Sequence, residues 1–186
     1  MFNGSEYELD LLGIKFAGAE AADEIKCVGS CEEEMTAKVI TKSCRGVVVK
    51  KVVKGTGEGT LKITAHIPYA IYEKFYGMTL DSLVTGAKAY GRNSVHKGFC
   101  LTAHVTDEDG AEKYKAYPNC VVATGVVREI KNGAEEVAQL ELEVSVMPDE
   151  HGNGLYEVIA GTDTANLTKD WIKSFDASKL QNVQTA

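Results

Sequence analysis

The sequence predicts a mainly β protein: an antiparallel β-sandwich or partly closed barrel, with one or two short flanking helices and a long basic hairpin. Three observations predict this fold. Several segments alternate apolar and polar residues with a period of two, as half-buried strands do. Eighteen glycines stand against three prolines, which is typical of turn-rich β proteins. Strands and helices do not alternate regularly along the chain, as they would if the sheet were parallel.

Length and composition favour one soluble domain over residues 1–186, with 42–60 as an extended hairpin or loop and 176–186 as a C-terminal tail. The net charge of −7 argues against a partner bound through phosphate neutralisation, although not against DNA that passes without binding. No apolar run approaches the ~18 residues of a membrane span, so we expect no membrane partner.

The first half of the chain is predicted as strands followed by one helix. Strong β-branched content and period-two alternation mark these strands, which cover 7–16, 25–30, 34–42, 47–53 and 61–67. The glycine-rich stretch GTGEGT, residues 55–60, is interpreted as a turn. Pro68 opens a helix in which Tyr69, Tyr72 and Phe75 share one face, and Gly77 ends it.

The second half is predicted as further strand segments and a short C-terminal helix, and the ten segments of the whole chain are expected to form eight or nine strands. The strands cover 99–105, 114–117, 120–130, 137–147 and 155–160, with turns at 107–110 and 131–136. Residues 167–175 are predicted as a helix that is capped by Asn166 and buries Trp171 and Phe175.

We find no sequence motif for a catalytic, metal or cofactor site, so we expect that the protein is not an enzyme and binds no cofactor. GTGEGT lacks the lysine and the following helix of a phosphate loop. The spacing of Cys27 and Cys31 does not fit a zinc site. Cys100 and His104 lie on one predicted strand about 13 Å apart, too far for a nucleophile and its base. Five cysteines at irregular spacings indicate free thiols.

Charge is unevenly distributed. No acid lies between Met35 and Gly57, where six cations cluster: Lys38, Lys42, Arg45, Lys50, Lys51 and Lys54. These cations could protect an exposed strand edge or dock on an acidic surface. Glu141 and Glu143 share one face of a predicted strand. That face could be simply solvated, or it could line an acidic channel that repels phosphate.

A family resemblance rests on residues spread over most of the chain. GSCEEEMTAKVITKSCRGVVV, GTGEGTLKITAHIPYAIYEKFYGM, AYGRNSVHKGFCLTAHVTDEDG and NGAEEVAQLELEVSVMPDEHGNGLYE resemble the major tail proteins of tailed bacteriophages and of tail-like particles from Gram-positive hosts. The resemblance covers residues 5–175. It lies in the overall succession of these segments and includes no catalytic motif. We expect no C-terminal decoration domain of the kind that some members carry.

The resemblance implies a structural virion protein of the phage tail, in which hexameric rings stack into a hollow tube. It implies several partners: further copies of this chain, the tape measure protein, the tail terminator, distal tail or baseplate proteins, and a sheath if the tail is contractile. DNA would pass through the lumen without specific binding. The alternatives are another virion component, such as a tail terminator or baseplate subunit, a small-molecule-binding β-barrel, or a hydrolase.

Two site predictions follow. Residues 42–60 are expected to be mobile in the free subunit and to order on stacking, where Lys42, Arg45, Lys50, Lys51 and Lys54 meet acids of a neighbouring ring. The candidate acids are Glu32, Glu33 and Glu34, and Asp107 to Asp109. Glu141 and Glu143 are expected to face the lumen.

Overall fold

The computed structural model describes residue 2 and residues 4–130, 132–133 and 135–181. These residues form eight strands: β1 (Glu8–Phe16), β2 (Asp23–Ile25), β3 (Val28–Cys44), β4 (Val47–Ala65), β5 (Phe99–Thr106), β6 (Glu112–Val122), β7 (Leu140–Met147) and β8 (Tyr156–Ile159). They also form helices α1 (Tyr69–Phe75), α2 (Ala165–Thr168) and α3 (Trp171–Ser174), and 3-10 turns at Thr162–Thr164 and Ala177–Leu180.

All the strands belong to one antiparallel sheet, in the order β2-β1-β5-β6-β7-β4-β3. β6 is the branching point: its first half pairs with β8 and its second half pairs with β7. The sheet is not closed into a barrel. The predicted class, mainly antiparallel β with short flanking helices and a long hairpin, is confirmed.

The main core lies between the inner face of the sheet and α1. The ring of Phe75 in α1 lies 5.3 Å from that of Phe16 in β1 and 4.8 Å from that of Phe99 in β5. Tyr72 and Tyr76 are also buried. The helix starts directly after Pro68, which lies at the N-cap position rather than in the first turn as predicted, and the Pro68 carbonyl accepts the N–H of Tyr72 at 3.0 Å.

A second, smaller core lies where the C-terminal segment packs on the sheet. Trp171 is buried, as predicted, and its indole Nε1 donates to the carbonyl of Lys115 at 2.9 Å. Thr102 Oγ1 donates to the carbonyl of Ile172 at 3.0 Å. A Cβ atom on Gly13 would lie 2.5 Å from that same carbonyl. Glycine at position 13 therefore lets α3 approach the sheet.

The predicted cap at Asn166 is wrong. The segment forms two single-turn helices, of which α2 follows Thr164 and α3 follows Asp170, and Asn166 lies inside α2. Phe175 is only half-buried, against Trp171 and Tyr156. The helix is interrupted just before Trp171, and the tertiary hydrogen bonds of α3 are made at Trp171, at Ile172 and at Lys173, whose carbonyl accepts the Ala22 N–H at 2.9 Å.

The predicted turn at 55–60 is also wrong. Those residues lie inside β4, and the hairpin turns at Arg45–Gly46, between paired Cys44 and Val47. Both turn residues have positive φ, 53° for Arg45 and 79° for Gly46. Such a two-residue turn matches the natural twist of a hairpin. The glycine-rich stretch instead forms a bulge in β4.

The predicted strand over 120–130 ends at Val122. Residues 114–122, predicted as two strands, are one continuous strand within β6. The chain leaves the sheet after the Ala123 N–H donates to the carbonyl of Glu143 at 2.8 Å. Arg128 then lies over the ring of Tyr72, 4.4 Å from its centroid. Packing on α1 therefore replaces strand pairing in this segment. The predicted turn over 131–136 includes residues 131 and 134, which lie outside the described residues.

Candidate assembly surface

The distal half of the β3–β4 hairpin projects beyond the core. We call residues 37–55 the ribbon, and residues 28–35 with 59–65 the root. β7 pairs with β4 only over Gly59–Ala65, so no third strand among the described residues covers the ribbon. Both of its faces are exposed. Val52 is half-buried, and the other large apolar side chains are between 47% and 65% accessible: Val39, Ile40, Val47, Val48, Val49 and Val53. Two strands alone are only marginally stable in water.

One face of the ribbon carries four lysines in two directly opposed pairs. Lys38 pairs across the strands with Lys54, and Lys42 with Lys50, and Ile40 lies between the two pairs. Like charges directly opposite each other destabilise a sheet. No ion pair joins these lysines to a carboxylate in the part of the chain that the structure describes. The face is therefore complementary to an acidic partner.

The opposite face of the ribbon is more apolar. Val39 pairs with Val53, and Thr41 pairs with Lys51, which is the one lysine directed to this side. Arg45 occupies the turn at the tip. All six predicted cations thus lie on the ribbon, and they divide between its two faces and its tip.

The outer face of the root is acidic. Glu32 of β3 pairs with Lys62 of β4, which in turn pairs with Glu143 of β7. Glu34 and Glu141 lie on the same side of these strands, two residues from Glu32 and Glu143 respectively. All four carboxylates are exposed. We call this group, four glutamates around Lys62, the acidic face.

The acidic face unites residues that sequence reasoning had assigned to different roles. Glu32 and Glu34 were predicted as docking acids, and Glu141 and Glu143 as lumen-facing acids. The register of β3, β4 and β7 could not be predicted because the hairpin turn had been placed at 55–60 instead of 45–46. Glu32, Lys62 and Glu143 share one side because of the two register shifts in the hairpin, after Met35 and after Lys42, and because of the pairing of β4 with β7, none of which the alternation specifies.

Glu33 points to the inner side of the sheet, where it is bound within the subunit. Its carboxylate accepts hydrogen bonds from Lys115 and from the Tyr117 hydroxyl, the latter at 2.6 Å. Lys115 also donates to Glu6 of the N-terminal segment, at 3.1 and 3.3 Å. Only Glu32 and Glu34 of the triplet belong to the acidic face.

The charge network around Lys115 shifts several pKa values. Burial lowers the pKa of Lys115, but the Glu33 and Glu6 carboxylates outweigh it, so the net pKa lies above the usual 10.5. Burial raises the pKa of Glu6, but Lys113 and Lys115 lower it further, below the usual 4.5. Burial, with the charge of Glu33, raises the pKa of Tyr117. Through Lys115, which contacts both Glu6 and Glu33, the network ties the N-terminal segment to the root.

The acids at 107–109 lie in the turn between β5 and β6. Asp107 is 2% accessible, and its Oδ1 accepts the N–H groups of Asp109 and Ala111 at 3.0 and 2.7 Å. Gly110 supplies the positive φ of this turn, 79°. The predicted turn is confirmed here, and the Asp107 carboxylate accepts hydrogen bonds from the backbone of this turn.

The thiols are not set up as nucleophiles. All five cysteines lie within the described residues and are free. Burial raises the pKa of Cys100 to about 12 and that of Cys31 to about 11, so neither is a thiolate at neutral pH. His104 is instead bound to Asp10, with Nδ1 2.7 Å from Oδ1.

Two further searches cover the described residues. They contain no group of three or more His, Cys, Asp or Glu side chains placed to hold a metal ion. No helix among them has the length and apolar character needed to cross a membrane.

Comparison with known proteins gives likenesses in structure only. No protein-family model matches the chain, and no curated protein sequence matches it. Among solved structures, the chain is similar to the cap that terminates the tube of the anti-feeding prophage, with a TM-score of 0.49 and 10% identity over 84% of this chain and 95% of that one. It is also similar to a chain of the six-fold symmetrised baseplate of the same particle, with a TM-score of 0.48 and 11% identity over 85% and 97%.

Both matched structures are described as a cap or a baseplate, and neither as a tube subunit. At TM-scores below 0.5 the likeness itself carries no weight for function.

Proposed function

We propose that this chain is a structural subunit of a phage tail or phage tail-like particle, and that the ribbon joins one subunit to the next. The observation that carries the proposal is the ribbon itself: an exposed two-stranded extension with opposed lysine pairs and no acid between Met35 and Gly57. A projecting edge of this kind is a hazard for a lone subunit unless assembly covers it.

A second copy of the chain is a suitable partner because the same molecule carries the complementary surface. The acidic face presents Glu32, Glu34, Glu141 and Glu143 in exposed positions. A contact between two different patches of the same protein is heterologous, and it produces closed rings or open stacks according to its rotation. Ring and tube assembly therefore needs no further component at this contact.

The family resemblance adds the finer proposal that hexameric rings stack into a tail tube in the virion. The tape measure protein would fill this tube before DNA passes. Terminator and baseplate proteins would bound it, and a sheath would surround it in a contractile tail. The alternative proposal places the chain in the terminator or the baseplate, where a ring ends the stack instead of extending it.

We further propose that the acidic face is divided between two roles. Glu32 and Glu34 receive lysines of a neighbouring ribbon, while Glu141 and Glu143 face the lumen, where like charge keeps DNA phosphates from adhering. The double variant Glu32→Gln/Glu34→Gln is then expected to lose assembly, while Glu141→Gln/Glu143→Gln assembles normally. Loss of assembly in both variants would instead make the whole face a docking surface.

Electron microscopy of the purified protein at high concentration tests the proposal. Hollow tubes with a regular axial repeat are expected for a tube subunit, and single rings that do not extend are expected for a terminator or baseplate subunit. A monomer that also fails to bind the ends of purified tail particles would contradict both.

A charge-reversal pair shows whether the ribbon makes the contact. Lys42→Glu/Lys50→Glu is expected to abolish assembly. The control Lys169→Glu/Lys179→Glu makes the same change in net charge at exposed lysines outside the ribbon, and it is expected to assemble as the parent does. Equal assembly by both variants would remove the ribbon from the contact.

A further inference from the structure

The ribbon meets the root at a bulge in β4. Met35 pairs with Gly59 and Ala37 pairs with Gly55, so the three residues 56–58 face Thr36 alone. Thr56 closes the bulge, because its Oγ1 donates to the carbonyl of Thr36 at 3.1 Å and accepts the N–H of residue 58 at 3.2 Å. Bulges bend the strand that carries them. The direction of the ribbon is therefore set at this point.

The backbone of the bulge packs directly on the loop between β7 and β8. A Cβ atom on Gly57 would lie 2.7 Å from the carbonyl oxygen of Gly152 and 2.9 Å from Cβ of Pro148. A Cβ atom on Gly154 would lie 1.9 Å from the carbonyl oxygen of Gly57. Side chains at these positions would separate the two backbones. Glycine is therefore needed on both sides of the contact.

The loop on the far side of this contact is internally rigid. Asp149 Oδ1 accepts the N–H groups of His151 and Asn153, at 2.9 and 3.0 Å, and Oδ2 accepts the Tyr156 hydroxyl at 2.6 Å. The ring of Tyr156 packs on Phe175, with centroids 5.6 Å apart. A continuous set of contacts thus runs from the end of α3 through the loop to the bulge.

We propose that residues 148–154 are a brace that fixes the direction in which the ribbon leaves the body, and that joining of subunits depends on this direction. The second half of this statement rests on the proposed function. The first half concerns the free subunit and stands apart from it. A ribbon that bends freely would have to be ordered at each contact, and that entropy cost would weaken assembly.

The chain offers a matched pair of variants. Gly154 has no positive φ, so Gly154→Ala introduces the clash with Gly57 without backbone strain. Gly55 lies next to the same bulge, also without positive φ, and a Cβ there meets nothing within 4 Å. Gly55→Ala is therefore the control. Tyr156→Phe is a milder test, because it removes only the hydroxyl that holds Asp149.

Two native thiols report the ribbon's direction. Cys27 precedes the root and Cys44 ends β3 at the tip, and both are exposed. At ~3.3 Å per residue they are roughly 55 Å apart, within reach of pulsed electron spin resonance between nitroxide labels. The half-buried thiols Cys31 and Cys100 are replaced by alanine in every sample, and circular dichroism checks the fold.

The parent and Gly55→Ala are expected to give the same distance distribution. Gly154→Ala should broaden the distribution or shift its mean by several ångströms, and Tyr156→Phe should broaden it less. A Gly154→Ala distribution equal to the parent's would overturn the brace. If Gly154→Ala does not fold, a distance distribution in Tyr156→Phe equal to the parent's would overturn the brace instead. Failure of the parent protein to assemble would contradict the proposed function and leave this distance result intact.

Discussion

The root and the ribbon are two halves of the same pair of strands, with similar residues and opposite surroundings. Leu61 and Ile63 in the root are 0% and 2% accessible, whereas Val39 and Val53 in the ribbon are 51% and 59% accessible. The root is covered by β7 on one side and by the core beneath it. β-branched sequence therefore specifies a strand, and the neighbouring elements decide whether that strand is buried.

The two halves also differ in how their charges are satisfied. In the root, Glu33 is bound by Lys115 and Tyr117. In the ribbon, lysines face lysines. Under the proposed function, the lysines of the ribbon find their counter-charges on a partner, whereas Glu33 finds its own within the subunit.

The largest expected difference is in stability of the free subunit. Leu61→Ala should lower the free energy of unfolding by about 2–5 kcal/mol, because it leaves a cavity in the core. Val53→Ala in the ribbon should change it by less than about 0.5 kcal/mol, because the site is exposed. Urea denaturation measures both. Similar losses in the two variants would mean that the ribbon is packed in the free subunit.

Thiol reactivity compares the tip of the ribbon with the start of the root. Cys44 and Cys27 are both exposed, so both should react quickly with iodoacetamide in the free subunit. On assembly, the rate at which Cys44 reacts with iodoacetamide is expected to fall by about 10-fold or more, which corresponds to ~1.4 kcal/mol of protection. Mass spectrometry quantifies each site. A Cys44 rate that is the same in both states would place the tip outside the contact.

The charged network beneath the root predicts a pH dependence. Because Lys113 and Lys115 depress the pKa of Glu6 below 4.5, Glu6 stabilises the fold above the unfolded-state pKa, and this contribution is lost as the pH falls through the folded value. Glu6→Gln should therefore lower the free energy of unfolding by less than about 1 kcal/mol at pH 7, since Glu6 is partly exposed. The loss of stability in this variant should shrink as the pH falls below 4.5 and through the lowered pKa of Glu6 in the folded state. A cost independent of pH in denaturation experiments would exclude this ion pairing.

The smallest expected effect is the removal of lysine repulsion. Lys42→Gln/Lys50→Gln should raise the stability of the free subunit by a few tenths of a kcal/mol, because it relieves a directly opposed like-charge pair. Lys51→Gln is the control, since Lys51 faces Thr41. Thermal unfolding measures both. A clear loss of stability in the double variant alone would show that these lysines already have partners within the subunit.

Much of the fold could be predicted because local patterns and burial agree. The alternation in β5 and β7 and the Pro68 start of α1 each specify one element, and each is found. The hairpin turn was missed because GTGEGT carries stronger turn residues than Arg45–Gly46. Only the pairing of β3 with β4 shows that the glycines form a bulge against Gly152 and Gly154.

The candidate surface was predictable in its charges and not in its geometry. The absence of acids between Met35 and Gly57 is visible in the sequence. The opposition of Lys42 and Lys50 depends on the register of the hairpin, and the junction of Glu32 with Glu143 depends on a third strand. The binding of Glu33 by Lys115 joins residues 82 positions apart, which no local pattern encodes.

Hydrogen exchange of the free and the assembled protein tests the central claim most directly. We expect the ribbon's backbone amides, residues 37–55, to exchange much faster than those of the root in the free subunit, and to approach the root's protection on assembly. Equal protection of the ribbon in the two states would contradict its role as the element that joins subunits.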